Sequence, residues 1–459
     1  MNDFVFEQVI QQIVELLENK NYHKLKPLLD EINATDLAQI LTDLPEESLP
    51  IVFRLLSKDL ASETFVEMDS DSQELLIRSF SDKELKEIIN DLFVDDTVDI
   101  LEEMPANVVR RILSQTDAQT RKEINELLKY PEDSAGAIMT TEYVWLKKSM
   151  TVEEAFSSIR KLAVDKETVY TCYVIDTGRH LEGVVSVKQL LLSSYQTRIE
   201  DIMETNIISI HTLDDKETAA RSFDKYNYLA MPVVDKENRL VGIITFDDAM
   251  DVIREENTED ISKMAATLPT DTPYLKTGVF KLVLSRMPWL LLLMISATFT
   301  GLVISNNEDV LNASTYGIIL TACIPMLMDT GGNAGSQASV TVIRSLALDE
   351  VRFKDIFVVL WKEIRVAVIL GFILAIACFA KLMLIDRLYQ VENGYMIASV
   401  VCLTIFLTVS IAKMIGCSLP LFAKKLKLDP AVVSSPFITT IVDLLSLLIF
   451  CNVAIALLG

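Results

Sequence analysis

Two aspartates stand in the middle of apolar stretches in the second half of the sequence. Asp329 belongs to "PMLMDTGGNAGSQ" (325–337), and Asp443 belongs to "SSPFITTIVD" (434–443). Every unsatisfied polar group in hydrocarbon costs several kcal/mol, so a carboxylate at that depth must be protonated, paired or in contact with a cation. The two stretches therefore predict an ion path through a membrane. The alternative is a protonated aspartate that makes one interhelical hydrogen bond.

The neighbours of both aspartates supply neutral oxygens and weaken a regular helix. Because Gly331 and Gly332 lower helix propensity and Pro325 removes a backbone donor, we expect a bent or partly unwound segment that faces a cavity. The added amide and hydroxyl oxygens come from Asn333, Ser336, Gln337, Ser435, Thr439 and Thr440. Ser435, Thr439 and Asp443 recur every four residues, on one helical face. Oxygens of this kind suit a hard divalent cation such as Mg²⁺, which keeps several of its waters.

Five apolar segments are long enough to cross a bilayer, and the two aspartates lie in the second and the fifth. We place the segments at about 287–305, 316–343, 356–384, 395–421 and 431–458. Basic residues cluster before the first segment, between the second and third, and after the fourth. By the positive-inside rule, this alternation predicts a multi-pass membrane protein with a cytoplasmic N-terminus and its C-terminus outside.

Few other charged residues fall inside these segments. Lys413, in the fourth, is the nearest candidate partner for either aspartate. Glu363, in the third, has Lys362 and Arg365 beside it, so we expect an ion pair at the membrane interface.

The acidic excess of the chain lies entirely in its first 260 residues. The 459 residues carry a formal net charge of −23, with 27 basic and 53 acidic side chains in 1–260 against 15 and 12 in 261–459. A charge that negative argues against nucleic acid as a partner and favours cation binding. The three histidines all lie in the acidic half without a nucleophile motif beside them, so we do not expect an enzyme.

Residues 1–130 are predicted to be all helical, because apolar residues recur at spacings of three and four in "DKELKEIINDLF". A weak repeat relates "DLAQILTDLP" (36–45) to "DTVDILEEMP" (96–105). Helix pairs stacked into a small superhelix would give this repeat, and so would an ordinary helical bundle.

Residues 131–258 contain two similar units in which Gly183 matches Gly242 and "AIMTTEYVWL" matches "DIMETNIISI". Each unit has the pattern strand, helix, strand, turn, strand, helix, so we predict one pseudo-symmetric α/β module. The pattern resembles a tandem pair of CBS domains, which are regulatory modules that often bind adenine nucleotides such as ATP. By this resemblance Thr245 and Asp248 of the second unit would contact the ribose, whereas the first unit lacks the acid.

Two groups of carboxylates are candidates for a cation sensor, one in "NDLFVDDTVDILEE" and one in "FDDAMDVIREENTEDI". The predicted sensor residues are Asp91, Asp95, Asp96, Asp99, Asp247, Asp248, Asp251, Glu255, Glu256, Glu259 and Asp260. Two acidic surfaces in contact repel by about 4 kcal/mol per close pair at an effective dielectric near 20. Divalent cations would relieve this repulsion, which links compaction to Mg²⁺ concentration. The alternative is a solvated acidic surface.

The acidic helical region, the CBS-like pair and the motif "TGGNAGSQ" together resemble the MgtE family of magnesium channels over essentially the whole chain. The resemblance implies a homodimer in the lipid of a bacterial cell membrane, with a pore on the two-fold axis and with Mg²⁺ as both substrate and regulator. It implies that Asp443 helps bind hydrated Mg²⁺, and it assigns Asp329 no clear role. The predicted pore residues are Asp443, Asn333, Ser435, Thr439, Thr440, Gly331, Gly332 and Asp329.

We therefore predict a multidomain integral membrane protein. It consists of an all-α N-terminal superhelical domain (1–130), an α/β tandem CBS pair (131–258), a connecting "plug" helix (259–278) and a five-helix transmembrane domain (279–459). The predicted function is Mg²⁺ uptake through a channel that intracellular Mg²⁺ closes by negative feedback. The alternatives are a secondary transporter or exporter of divalent cations such as Mg²⁺ or Co²⁺, and a membrane-anchored signalling protein.

Overall fold

The chain folds into two compact units, Met1–Arg254 and Glu255–Gly459. The computed structural model describes residues 3–163, 166–270, 274–275, 277–308, 317–433 and 435–458. The two units are described separately below.

The first part of the N-terminal unit is helical throughout, as predicted. Its helices are α1 (Asp3–Glu18), α2 (Tyr22–Asp30), α3 (Ala34–Thr42), α4 (Leu49–Phe53), α5 (Lys58–Val66), α6 (Ser70–Ser79), α7 (Asp82–Ile89), α8 (Val94–Glu103), α9 (Ala106–Gln115) and α10 (Ala118–Leu127). Several begin at a side chain that accepts a backbone N–H of the first turn, as Ser81 and Asp117 do. Such caps explain how many short helices follow one another over few residues.

The second part of this unit contains two α/β repeats. The first has β1 (Tyr143–Leu146), α11 (Val152–Leu162), β2 (Thr168–Ile175), β3 (Leu181–Ser186) and α12 (Val187–Leu192). After α13 (Ile199–Ile202), the second has β4 (Ile210–His211), α14 (Lys216–Tyr226), β5 (Ala230–Val234), β6 (Leu240–Thr245) and α15 (Phe246–Met264). In each three-stranded sheet the first strand runs parallel to the second and the second antiparallel to the third. The predicted repeat is therefore confirmed.

The two repeats interlock through matched residues. The segment before each repeat pairs with the last strand of the other one. A Cβ added to Gly183 would lie 2.7 Å from Sδ of Met203, and a Cβ added to Gly242 would lie 2.7 Å from Sδ of Met139. Because 2.7 Å is far below a normal carbon–sulfur contact, any larger residue would displace the methionine from its present position. The sequence match between the repeats thus reflects a reciprocal packing contact.

One apolar core continues from the N-terminal helices into the second repeat. Its buried members include Leu101 and Leu127 on the helical side and Phe223 and Ile244 on the α/β side. The first repeat has its own core around Val174. The helical region and the second repeat therefore bury apolar surface against each other.

Helix α15 differs in extent from the predicted connecting helix over 259–278. It begins at Phe246 and ends at Met264, and residues 265–270 are not helical. Ala266 adopts a left-handed backbone with φ of 54°, and Pro269 follows, which together stop the helix. Asp271, Thr272, Pro273 and Lys276, in the rest of the predicted helix, lie outside the described residues.

The C-terminal unit is built from five long helices. They are α16 (Val279–Asn306), α17 (Gly317–Ala347), α18 (Ile356–Leu384), α19 (Gly394–Lys425) and α20 (Ser435–Leu458). Among the described residues, four of them are long and apolar enough to cross a membrane, namely α16, α18, α19 and α20. Helix α17 has 31 residues, but the motif around Asp329 makes it more polar. Five spans therefore remain a prediction, although all five predicted segments are helical.

Helix α17 packs most extensively against α19 and α20. It is a continuous α-helix from Gly317 to Ala347, so the expected unwinding at Gly331 and Gly332 is wrong. The glycines instead allow neighbouring helices to approach. A Cβ added to Gly331 would lie 2.8 Å from Oγ of Ser446, and one added to Gly416 of α19 would lie 2.9 Å from the carbonyl carbon of Gly335. Small residues at such contacts let membrane helices pack backbone to backbone.

Candidate functional site

A polar stripe runs along one exposed face of α17. Asp329, Asn333 and Gln337 are spaced four residues apart, and all three are exposed in the single chain. Gly331 and Gly332, on the other side of the helix, are buried. The helix therefore turns its glycines inward and its carboxylate and amides outward.

Helix α20 brings a second set of oxygens beside this stripe. The Oγ atoms of Ser336 and Ser435 lie 2.7 Å apart, which joins α17 to the start of α20. The hydroxyls of Thr439 and Thr440 each donate to the carbonyl oxygen of Pro436 at 2.9 Å. Their donor hydrogens are thus used within the helix, and their oxygen lone pairs remain available to a ligand.

Asp329 and Asp443 lie near enough in space for their charges to repel. Asp443 is half-buried and Asp329 is exposed. Within the described part of the chain, no ion pair joins either carboxylate to a basic side chain. The structure thus gathers Asp329, Asp443 and the hydroxyls of Ser435, Thr439 and Thr440 on neighbouring helices, as an all-oxygen surface without a positive charge.

Lys413 was predicted to partner one of the aspartates, and Glu363 was predicted to form an ion pair with Lys362 or Arg365. Both predictions are wrong. Lys413 Nζ lies 3.6 Å from Glu363 Oε2, and both side chains are largely buried between α19 and α18. Lys413 therefore does not neutralise the aspartates, and Glu363 is not part of an exposed interfacial pair. The two charges compensate one another inside the helix bundle, where either alone would be costly.

In the N-terminal unit, carboxylates from three separate elements meet in one cluster, which we call the acidic cluster. Helix α8 contributes Asp95, Asp96 and Asp99, the residue before β2 contributes Glu167, and the first turn of α15 contributes Asp247 and Asp248. The cluster joins the helical region to both α/β repeats. Glu167 was not predicted, because nothing in "VDKETVYT" distinguishes it from a surface glutamate.

Burial and mutual repulsion raise the pKa values of Asp95, Asp96, Asp99, Glu167 and Asp248. Burial is the larger cause for each, and the next carboxylate adds to it. The pKa of Asp95 rises to about 7, that of Asp248 to about 7 and that of Glu167 to about 8. Asp99 is exposed as a residue, yet partial burial of its carboxyl group and repulsion by Asp95 raise its pKa as well. At neutral pH the cluster therefore holds protons that a cation would displace.

Two oxygens of the acidic cluster are buried without a hydrogen-bond partner. They are Oδ1 of Asp95, on a residue only 8% exposed, and Oε2 of Glu167. A buried carboxylate oxygen without a donor is costly, and a cation or a proton would satisfy it. In the described residues, however, no three His, Cys, Asp or Glu side chains are placed to hold a metal ion together. Coordination would require small side-chain movements.

Several predicted sensor residues lie in ion pairs instead of the acidic cluster. Asp91 pairs with Lys58 at 2.7 Å, and Asp251 pairs with Arg254 at 2.8 Å. Glu259 pairs with Lys263 at 2.7 Å in the other unit. The remaining predicted carboxylates of α15, in that unit, are Glu255, Glu256 and Asp260. The acidic stretch at the start of α15 therefore did not identify which carboxylates meet.

Asp248, the predicted ribose contact, has two structural roles. Its carboxylate accepts a hydrogen bond from Oγ1 of Thr245 and lies 3.4 Å from the backbone N of Thr245. The same side chain belongs to the acidic cluster. A nucleotide and a cation at this position would therefore share one carboxylate.

In the C-terminal unit, Lys263 connects the last turn of α15 to the segment before α20. Its Nζ lies 2.7 Å from Glu259 and 2.7 Å from Oδ2 of Asp429. Asp429 also accepts the backbone N–H of Ala431 at 2.8 Å and so caps the turn that leads into α20. The two carboxylates outweigh partial burial and raise the pKa of Lys263, which therefore stays charged.

Three sequence profiles match successive parts of the chain. The profile of the family described as a divalent cation transporter, MgtE, matches residues 324–453, and that of the MgtE intracellular N domain matches 32–133. The CBS domain profile matches 135–194 and 199–255. Together they follow the order of the observed helical region, paired repeats and long helices.

Solved structures resemble the N-terminal unit. The cytosolic domain of the Mg²⁺ channel MgtE in complex with ATP is 35% identical with a TM-score of 0.51, and covers 53% of this chain and 99% of that one. The soluble part of a magnesium transporter is 30% identical with a TM-score of 0.51, over 55% of this chain and 99% of that one.

Full-length relatives extend the match to both units. The magnesium transporter MgtE of Thermus thermophilus is 35% identical over 452 residues, which is 98% of each chain. The magnesium transporter MgtE of Bacillus subtilis is 32% identical over 456 residues, which is 99% of each chain. With such identity along almost its entire length, this chain belongs to the MgtE family of magnesium transporters.

Proposed function

We propose that the chain is a Mg²⁺-selective channel for magnesium uptake that intracellular Mg²⁺ closes. The observation that carries the proposal is the exposed oxygen surface of Asp329, Asn333, Gln337 and Asp443 on otherwise apolar helices. Hydroxyl, amide and carboxylate oxygens can hold a hydrated Mg²⁺ through its waters. Because no ion pair joins either aspartate to a basic side chain in the described residues, a cation is the natural counter-charge.

We further propose that two copies of the chain enclose this surface. A stripe of polar side chains facing lipid would be costly, because hydrocarbon offers no hydrogen-bond partners. A second copy related by a two-fold axis would present the same stripe and create a water-filled passage between the two. The predicted homodimer therefore gives the stripe a solvated environment.

Flux through purified protein in liposomes tests the pore. Asp443→Asn removes one negative charge and keeps the size of the side chain, so Mg²⁺ flux should fall at least tenfold, about 1.4 kcal/mol in the rate-limiting barrier. Asp349→Asn is the matched control, because Asp349 is in a loop and Asn tolerates its left-handed backbone. Its flux should be unchanged.

Equal flux in the two variants would remove Asp443 from the path. Flux that saturates at slow turnover and needs a counter-ion gradient would favour a secondary transporter over a channel. A complete lack of divalent permeation under all conditions, including removal of the N-terminal unit, would refute the transport proposal itself.

We propose the acidic cluster as the intracellular Mg²⁺ sensor. Its carboxylates come from the helical region and from both repeats, so their repulsion opposes the compact arrangement of the N-terminal unit. Mg²⁺ would replace the bound protons and satisfy the open oxygens of Asp95 and Glu167. High intracellular Mg²⁺ would thus hold the unit compact, and low Mg²⁺ would loosen it.

Limited proteolysis of the full chain tests the sensor. Millimolar Mg²⁺ should slow cleavage within residues 1–254, and Asp248→Asn should reduce that protection. Asp251→Asn is the matched control, because Asp251 is exposed and pairs with Arg254 outside the acidic cluster. Unchanged cleavage between Mg²⁺-free buffer and millimolar Mg²⁺ would contradict the sensor, even if the pore experiment succeeds.

We propose that the Lys263 ion pairs pass the state of the sensor to the pore. Lys263 connects α15 to Asp429, and the chain then continues through the capped turn into α20, which carries Asp443. A movement of α15 would therefore act on the start of α20. Lys263→Met should weaken the dependence of flux on Mg²⁺ while flux itself persists.

An adenine nucleotide is a proposed second ligand of the N-terminal unit. The support is the CBS pair and the solved MgtE cytosolic domain with ATP. In this chain Thr245 and Asp248 are the proposed ribose contacts. Titration calorimetry with ATP should show binding that Thr245→Val weakens, and identical binding by the variant would exclude this site.

We propose that the protein lies in the bacterial plasma membrane with its N-terminal unit in the cytoplasm and its C-terminus outside. The distribution of basic residues supports this orientation, because they cluster at one end of the apolar helices. Labelling of intact cells at a cysteine introduced at Glu392, in the turn before α19, should succeed, whereas one at Lys427 should react only in lysed cells.

A further inference from the structure

An open groove lies between the start of α18 and the end of α19. It has a volume of about 530 Å³, in the range of small-molecule sites. Its walls are apolar except for one hydroxyl, and its lining residues are Phe353, Ile356, Phe357, Leu360, Met414, Ile415, Ser418 and Phe422. Ser418 donates to the carbonyl oxygen of Met414 at 2.7 Å, so its hydrogen is used within the helix and the lining is mainly apolar.

The mouth of the groove is basic and aromatic. Nζ of Lys425 lies 4.2 Å from the ring centroid of Phe353, and this ring packs edge-on against Phe422 at 5.7 Å. Arg352 and Lys354 flank the same phenylalanine and are exposed. One cationic side chain therefore lies against a wall of the apolar slot, and two more stand beside Phe353 in the sequence.

Two acids of this unit are engaged by lysines other than Lys425. Asp429 pairs with Lys263, and Glu363 pairs with Lys413 inside the bundle. Asp355 accepts the backbone N–H of Arg352 at 3.0 Å, in the turn before α18. An anion with an attached apolar chain would complement both the mouth and the groove.

We infer that the groove is a binding site for an anionic phospholipid of the surrounding bilayer. One acyl chain would lie along Phe357, Leu360 and Met414, and the phosphate would lie beside Lys425 and Arg352. Bulk lipid explains apolar walls alone, but it does not explain a basic rim around one slot. Basic pockets between helices at a membrane surface are known to recognise anionic headgroups.

The aromatic residues around the groove agree with its position at headgroup level. Trp361, one turn beyond Phe357 on α18, is 61% exposed, and the guanidinium of Arg365 lies 5.9 Å from its ring. Exposed Trp beside Arg is typical of the membrane–water interface. The groove therefore opens where a lipid headgroup and its first methylenes would lie.

Native mass spectrometry of the full chain tests the inference. The protein is incubated with phosphatidylglycerol or phosphatidylcholine of identical acyl chains, and retained lipid is counted. The native chain should prefer phosphatidylglycerol. Lys425→Gln should reduce that preference about fivefold, the equivalent of ~1 kcal/mol per basic side chain near a headgroup. Ser418→Leu fills the groove without a change of charge and should reduce retention of both lipids.

Lys281→Gln is the matched control, because it removes the same charge from an exposed position on α16. Its lipid preference should equal that of the native chain. The inference fails if the two Gln variants lose the preference equally, or if the native chain has none. It also fails if a photo-crosslinker at Phe357 joins two copies of the chain instead of a lipid, because the groove would then be an interface between copies.

Discussion

The contact between Gly335 and Gly416 predicts a large effect of a very small substitution. A Cβ added to Gly416 would lie 2.9 Å from the carbonyl carbon and 3.1 Å from Cα of Gly335, and closer still to the carbonyl oxygen. These atoms are backbone, so they cannot rotate away. Helices α17 and α19 would have to separate by more than about 0.5 Å, which removes a quarter or more of the dispersion attraction at each contact.

We therefore expect Gly416→Ala to destabilise the C-terminal unit by about 1–3 kcal/mol, the usual cost of overpacking. This corresponds to roughly a five- to 150-fold change in the unfolding equilibrium. The assay is thermal unfolding of the purified chain in detergent, followed by size-exclusion chromatography. Mg²⁺ flux in liposomes should fall with it, because α17 carries the polar stripe.

Gly301→Ala is the matched control. An added Cβ at Gly301 of α16 meets no atom within 4 Å, so the substitution should be neutral or stabilising by up to about 1 kcal/mol through helix propensity. If Gly416→Ala unfolds at the same temperature as Gly301→Ala, α17 and α19 do not pack backbone to backbone, and the reasoning about the glycines is wrong.

Three further predictions concern other parts of the molecule. Because the pKa of Glu167 is about 8, the folded state binds more protons than the unfolded state between about pH 4 and 8. Thermal stability in Mg²⁺-free buffer should therefore fall as pH rises over this range. Glu167→Gln should flatten the dependence of stability on pH, and an unchanged slope in that variant would contradict the role of Glu167. Lys413→Met should lower the free energy of unfolding by about 3–5 kcal/mol, because it leaves Glu363 charged and buried. Adding Glu363→Gln to this variant should recover much of the unfolding temperature. If the single and double variants unfold at the same temperature, this reasoning is wrong. Gly183→Ala should cost only about 1 kcal/mol in denaturant unfolding, because the flexible end of Met203 can move; a loss as large as that of Gly416→Ala would show that it cannot.

The architecture was predictable because it depends on periodicity. Apolar spacing indicated helices in residues 1–130, and a repeat of 59 residues indicated paired α/β units with Gly183 and Gly242 in matching places. The motif around Asp329 indicated the family, whose members are transporters and not enzymes. All of these signals are local or recur at a fixed interval, so one sequence contains them.

Contacts between distant residues were not predictable in the same way. Lys413 was considered a partner for the aspartates, but α18 places Glu363 beside it. The glycines of α17 lower helix propensity whether a helix unwinds or receives a close neighbour, and only Gly416 and Ser446 on adjacent helices decide between these outcomes. The sequence of α17 alone contains no information about those neighbours.

The acidic cluster illustrates the same limit within the soluble half. Composition identified two acidic stretches, but the fold selects Asp95 and Asp248 from them and leaves Asp91 paired with Lys58. Glu167 joins from a segment with no distinguishing pattern. Which carboxylates meet depends on the shared apolar core that brings α8 to the second repeat.

The reciprocal insertion of Met139 and Met203 into the other repeat makes the two halves of the module mutually obligatory. A truncation after the first repeat would leave an open slot over Gly183 and a thioether stranded in water. A chimera that borrows one repeat from a relative would need the matching methionine and glycine from the same donor. Evolution can therefore exchange this α/β module as a whole, but its halves have to change together.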